Sequence, residues 1–233
     1  MHSGEPHLDP TLLFILFAII AIAIFAVTQY ATAQRRKRLA AWARSRGFEF
    51  APLYDGDFPW RHSCFECFNK GRSRYAVNVA RGQIGDHKLC AFDYHYTYTS
   101  DSREGRAKHD FSGVIITTTL PLKPLAIHSE TLFDRVASLA GFEAIQFESV
   151  EFNKQFHVAS PDRRWAFDIL PQSTMEFLLD SPKFSLEFQA CQILARRNGL
   201  LDPQDFDAAI EVIEGVLQRL PPSVVQELQG VDR

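Results

Sequence analysis

Between Leu12 and Val27 the chain reads LLFILFAIIAIAIFAV, sixteen apolar residues in a row, and no charged residue lies between Asp9 and Arg35. The uncharged stretch from Thr28 to Ala33 lengthens this run to the ~20 residues that cross a hydrocarbon core of ~30 Å. Inside lipid the backbone must satisfy its own hydrogen bonds, so a single span of this kind is a helix. We place it at residues 11–34, with Tyr30 at the interface, where aromatic rings anchor. A cleaved secretory signal carries its basic residues ahead of the apolar run. Here Arg35, Arg36, Lys37 and Arg38 follow it. Basic flanks stay in the cytoplasm, which puts residues 1–10 outside as a short tail and everything after Arg38 inside. Tyr30 and the four basic residues are the expected membrane-anchoring set.

The remainder is globular in composition. From Leu39 onward 195 residues carry 21 Lys and Arg against 26 Asp and Glu, about −5, without the broad basic face of a nucleic-acid binder. Four cysteines in 233 residues do not describe a disulfide scaffold. The division expected is a basic juxtamembrane stalk over 35–47, one cytosolic domain over 48–228 and a tail over 229–233. The stalk should extend the helix until Gly47 stops it.

Within the domain, period-two patterning predicts strands at 48–52, 75–80 and 88–99, the last placing Cys90, Phe92, Tyr94, Tyr96 and Tyr98 on a core face and Asp93, His95, Thr97 and Thr99 on a wet one. Residues 100–110 read as a surface loop and 111–120 as a β-branched strand. A helix capped by Ser129 should run to Ala140. Strands follow at 156–160 and 165–170 around a Pro161-Asp162 turn, then a short helix from Pro171 to Leu179 and extended chain over 184–196 with a bend near Ala190. The clearest helix starts at Asp202-Pro203 and repeats Phe206, Ile210, Ile213, Leu217 and Leu220 to Pro221. The fold class is α+β: a transmembrane helix, one antiparallel-sheet domain and a C-terminal capping helix, compatible with a small barrel as in pleckstrin-homology-like folds.

Glu148, Phe152, Phe156 and Val158, followed by Asp162, Ala166, Ile169-Leu170-Pro171 and Met175 to Leu179, resemble the signature of an uncharacterised bacterial membrane-anchored family known only as a domain of unknown function. The resemblance covers about the C-terminal half and implies one or two N-terminal transmembrane helices, a cytosolic β-rich domain and residence in the bacterial inner membrane. It implies no activity and no catalytic residue. Phe152 and Phe156, four apart, read as packing residues on one face of a turn.

Two constellations suggest chemistry. His62, Cys64 and Cys67 bring two thiols into zinc-ligand spacing, with Cys90 as a further donor, but no second CxxC completes a structural site, and ordinary buried reduced cysteines explain the pattern better. Asp93 and His95 on one strand could orient one another for acid–base work, although no nucleophile or phosphate-binding motif accompanies them. The reading favoured is therefore a membrane-tethered cytosolic binding or scaffold domain without a cofactor. Its partners would be the lipid bilayer and a protein or second copy, with no nucleic acid. The alternative is a metal-dependent or acid–base enzyme using His62, Cys64 and Cys67, or Asp93 and His95. Residues 39–110 hold 11 basic and 9 acidic residues against 10 and 17 beyond, so the membrane-proximal half is the more basic.

Overall fold

The computed structural model describes residues 10–99, 106–129 and 144–230. Helix α1 (Pro10–Ser45) is continuous through the apolar run and the basic cluster. Its apolar run is exposed along its whole length, the state of a helix whose solvent is lipid, and it is long and apolar enough to cross a membrane. The hydroxyls of Thr28 and Thr32 donate to the carbonyls of Phe25 and Thr28, so neither needs water inside the span. Gly47 at φ +70° turns the chain back on itself.

The residues read as a stalk do more than connect. Leu39, Trp42 and Ala43 are buried in the principal core, so the last turns of α1 form the first layer of the domain. Strand β1 (Glu49–Ala51) then runs back beside β2 (Arg72–Ile84), and β3 (His87–Thr99), β4 (Arg106–Ser129) and β5 (Phe156–Ala159) follow in order, with β6 (Ser185–Asn198) on β4. Every pairing between strands is antiparallel. Among the described residues no ladder joins β1 to β5 or β6, so the sheet stays open and the barrel suggested by analogy does not close.

Three further expectations are corrected. Strand β4 begins at Arg106, inside the expected loop, and continues through Pro121 and Pro124, which sit where its register with β6 shifts and no ladder bond is demanded of them. Residues 165–170 are not a strand: α4 (Arg163–Ile169) is a helix, because Asp162 Oδ1 accepts from the Trp165 amide at 3.1 Å and Trp165, Ala166 and Ile169 bury at helical spacing. The face of β3 expected to be wet is buried at Asp93, under Arg35 of α1, and at His95, under the Tyr75 ring, and is half-buried at Thr97. The helix placed at 129–140 lies outside the described residues.

Other readings match the structure. Ala190, at φ +55°, marks the bend in β6. Pro171 precedes α5 (Gln172–Asp180), and Asp202 with Asp205 forms a capping box on α6 (Pro203–Gln218), followed by α7 (Pro222–Leu228). Phe206, Ile210 and Ile213 pack on the sheet beside Phe152 and Phe156, whose rings stack at 4.9 Å after the short α3 (Val150–Gln155). The opposite sheet face carries a second core of Phe58, Phe65, Phe68, Phe92, Tyr94 and Phe111, closed by α2 (Phe58–Arg61) and a 3-10 turn at Glu66–Asn69.

Candidate functional site

The helix enters the sheet through one residue of the basic cluster. Arg35 Nε and Nη2 donate to the two carboxylate oxygens of Asp93 at 2.9 and 2.7 Å, and Nη2 also reaches the Leu201 carbonyl at 2.7 Å. Asn78 Nδ2 donates to Asp93 Oδ2 at 2.9 Å and Ser112 Oγ to Oδ1 at 2.5 Å, while the Ser112 oxygen accepts from the Leu201 amide at 3.1 Å. The Asp93 side chain is 1% exposed and that of Arg35 12%. A buried carboxylate is tolerable only when its lone pairs are occupied, and this one takes four hydrogen bonds, two of them in the fork geometry that arginine supplies. Asn78 reaches it from a bulge of β2, where its own φ is +52°.

Around this node the seam is built of mixed contacts. Trp42 stacks on Phe206 at 5.3 Å and its Nε1 donates to Asp207 Oδ1 at 2.8 Å. Arg46 pairs with the same carboxylate at 2.8 Å and Arg38 with Asp202 at 3.0 Å. The cluster is thus divided: Arg35 is built into the domain, whereas Arg36, Lys37 and Arg38 are exposed, Arg38 in a surface pair with Asp202. Tyr30 is exposed on the helix, its hydroxyl accepting from Gln34 at 2.8 Å.

On the other sheet face Glu187 and Arg196 form a second buried ion pair at 3.3 Å, and the Arg196 guanidinium lies 5.6 Å over the Phe111 ring. Nearby, an open hollow of about 300 Å³ is lined by Cys64, Glu66, Pro124, Ala126, Pro161 and the buried Glu187. This is the lower end of the size of small-molecule sites. His128, facing the Arg196 charge, is held down to about 4, first by burial and then by that guanidinium.

The residues singled out for metal or acid–base chemistry are kept apart. Among the described residues no three His, Cys, Asp or Glu side chains gather as a metal site. His62 lies against Phe58 at 4.6 Å, and burial lowers its pKa. Cys67 and Cys90 are in or against the aromatic core. Burial raises the Cys64 and Cys67 thiols and pushes Cys90 up to about 11, opposite to what a thiolate ligand requires. Asp93 and His95 do not face each other chemically, because each has its own partner. His95 Nδ1 sits 2.5 Å from Asp110, its direct cross-strand neighbour, under the Tyr75 ring. What the sequence left unseen was the pairing of Arg35 with Asp93. A lone carboxylate flanked by Ala91, Phe92 and Tyr94 in a strand was the available signal.

No family model matches the chain, and no curated protein matches it. Among solved structures it is similar to the crystal structure of the mycobacterial trehalose monomycolate transport factor A, with a TM-score of 0.60, 14% identity, and coverage of 80% of this chain and 96% of that one. At that identity the likeness is one of fold.

Proposed function

We propose that this chain is a single-pass factor of the bacterial inner membrane, N-terminus outside, whose cytoplasmic domain is a non-catalytic docking platform held in a fixed attitude to the bilayer. The observation that carries it is the Arg35–Asp93 node: an anchor that merely tethers needs no residue in the core, whereas this one is part of the fold. The raised thiols and separately partnered Asp93 and His95 favour binding over chemistry. The fold likeness to a mycobacterial protein described as a transport factor supports an accessory role of the same broad kind, serving a membrane-bound partner protein. Membership of the uncharacterised family suggested by Glu148 to Leu179 belongs to this reading.

A photo-crosslinking residue replacing Gln189, in the hollow beside Glu187, tests it in intact cells. One discrete protein adduct, lost when Arg35→Ala unseats the domain, is the expected result. Stoichiometric zinc in the purified full chain would overturn it. A reporter active only in the cytoplasm, fused after Arg233, should be active. A periplasmic reporter lighting up there would reverse the orientation.

A further inference from the structure

The node and the turn at Gly47 fix the direction of the sheet relative to the membrane. Arg35 meets Asp93, and Phe48, just past the helix end, lies on Gly82, the cross-strand partner of Leu89. From Leu89 to Asp93 the strand advances about 13 Å at ~3.3 Å per residue. From Arg35 to Arg46 the helix advances about 16 Å at ~1.5 Å per residue. The two therefore lie alongside each other in opposite directions, and β3 beyond Asp93 travels toward the apolar part of α1. Thr97 stands about 13 Å past Asp93.

That end of the sheet is chemically unlike the rest. Thr97 is the register partner of both Arg72 on β2 and Lys108 on β4, and both cations are exposed. Arg74 lies 5.5 Å over Trp60, whose side chain is 70% exposed, and Tyr98 is 55% exposed. Arg36 and Lys37 lie on α1 near the level of the node. Among the described residues, Asp110 is paired with His95 and Lys108 and Glu66 with Lys70, while Asp57, three residues before Trp60, is exposed. Exposed Trp and Tyr among Lys and Arg is the composition of a membrane interface, where each cation near an anionic leaflet contributes ~1 kcal/mol. At the opposite end the sheet presents the Gly85-Asp86 turn, and α6 carries the exposed or half-buried Glu211 and Glu214 away from the node.

We infer that the end of the sheet formed by Arg72, Arg74, Tyr98 and Lys108, with Trp60, rests on the bilayer that holds α1 and binds its anionic phospholipid headgroups. The contact rests on α1 spanning the membrane and is indifferent to which protein partner the domain serves.

Trp60 reports on it, because Trp42 and Trp165 are buried. The full chain is reconstituted into vesicles of phosphatidylcholine alone or with a minority of phosphatidylglycerol, each containing a lipid with a headgroup nitroxide quencher. Resistance to alkaline carbonate extraction first establishes that α1 is integrated; failure there removes the spanning helix itself. With integration established, quenching of the component lost in Trp60→Phe is expected in the anionic vesicles. It should fall to the neutral-vesicle level in Arg72→Gln with Lys108→Gln and at high salt. Trp60 open to aqueous iodide but untouched by the lipid quencher, or quenched equally in neutral vesicles, overturns the inference.

Discussion

The Arg35 guanidinium and the Leu201 carbonyl, 166 positions apart in the chain, meet at 2.7 Å, so one hydrogen bond ties the membrane helix to the loop that launches α6. The same nitrogen binds Asp93, and removal of either charge leaves the other buried without its partner.

Asp93→Ala should therefore destabilise the full chain by about 3–5 kcal/mol, the range for breaking a buried pair from one side. Arg35→Met combined with Asp93→Leu should recover much of that loss, since two apolar groups leave no unpaired charge. Thermal unfolding in nanodiscs, followed by near-ultraviolet dichroism, distinguishes the variants. Equal losses in the single and double variants would show that geometry rather than charge compensation holds the seam.

Trp42→Ala should cost about 3–5 kcal/mol, as for large-to-small aromatic truncations in a core. A residue in a free stalk would cost nothing. Limited proteolysis of the membrane-bound chain reads the difference, with cleavage expected to spread from the loops into β2 and β3.

Ile213→Asp should unfold the domain, because Ile213 is fully buried between α6 and the sheet. A folded variant that changed only from dimer to monomer would instead make the α6 stripe an assembly surface.

Acid should weaken the fold in a defined window. His128 is held at about 4 in the folded chain by burial and the Arg196 charge, below the 6.5 of an unfolded histidine, so the unfolded chain binds the proton first. The stability associated with neutral His128 is present above about pH 6.5 and drains away as pH falls toward about 4, on the order of 3 kcal/mol in total. In His128→Gln the same titration should show a shallower decline.

Burial raises the thiols of Cys64, Cys67 and Cys90 alike, so their relative reactivity should follow exposure. Cys64 is exposed and should be alkylated in the native chain, while Cys67 and Cys90, both held protonated by burial, should react only on unfolding. Native labelling of Cys67 ahead of Cys64 would contradict the packing of the aromatic cap.

Much of the fold was legible because it is written in local patterns. The apolar run, the Asp202-Pro203 start of α6, the Ala190 bend and the packing pair Phe152 and Phe156 each depend on residues a few positions apart. Trp165 to Leu170 was misread as a strand because an Asp162 turn and an Asp162 cap use the same side chain, and only the amide of Trp165 decides between them. The β3 face was misread for a different reason. Period two tells that Asp93 and Phe92 point to opposite sides, but not that both sides are covered there; that depends on Arg35 of α1, which is remote in the chain. The functional node inherits this difficulty, as its members come from α1, β2, β3, β4 and the loop after β6.

Arg35 also has a history in time. Residues 10–45 leave the ribosome before any strand exists, and Asp93, Ser112 and Leu201 arrive later, in that order. In the orientation proposed here, Arg35 first acts as one of four cations that keep the helix end on the cytoplasmic side. On the same proposal it is then drawn into the sheet by Asp93, leaving the exposed Arg36, Lys37 and Arg38 at the helix end. One guanidinium so serves two successive tasks, insertion and then assembly, and the sheet is completed against a helix that the bilayer has already set in place.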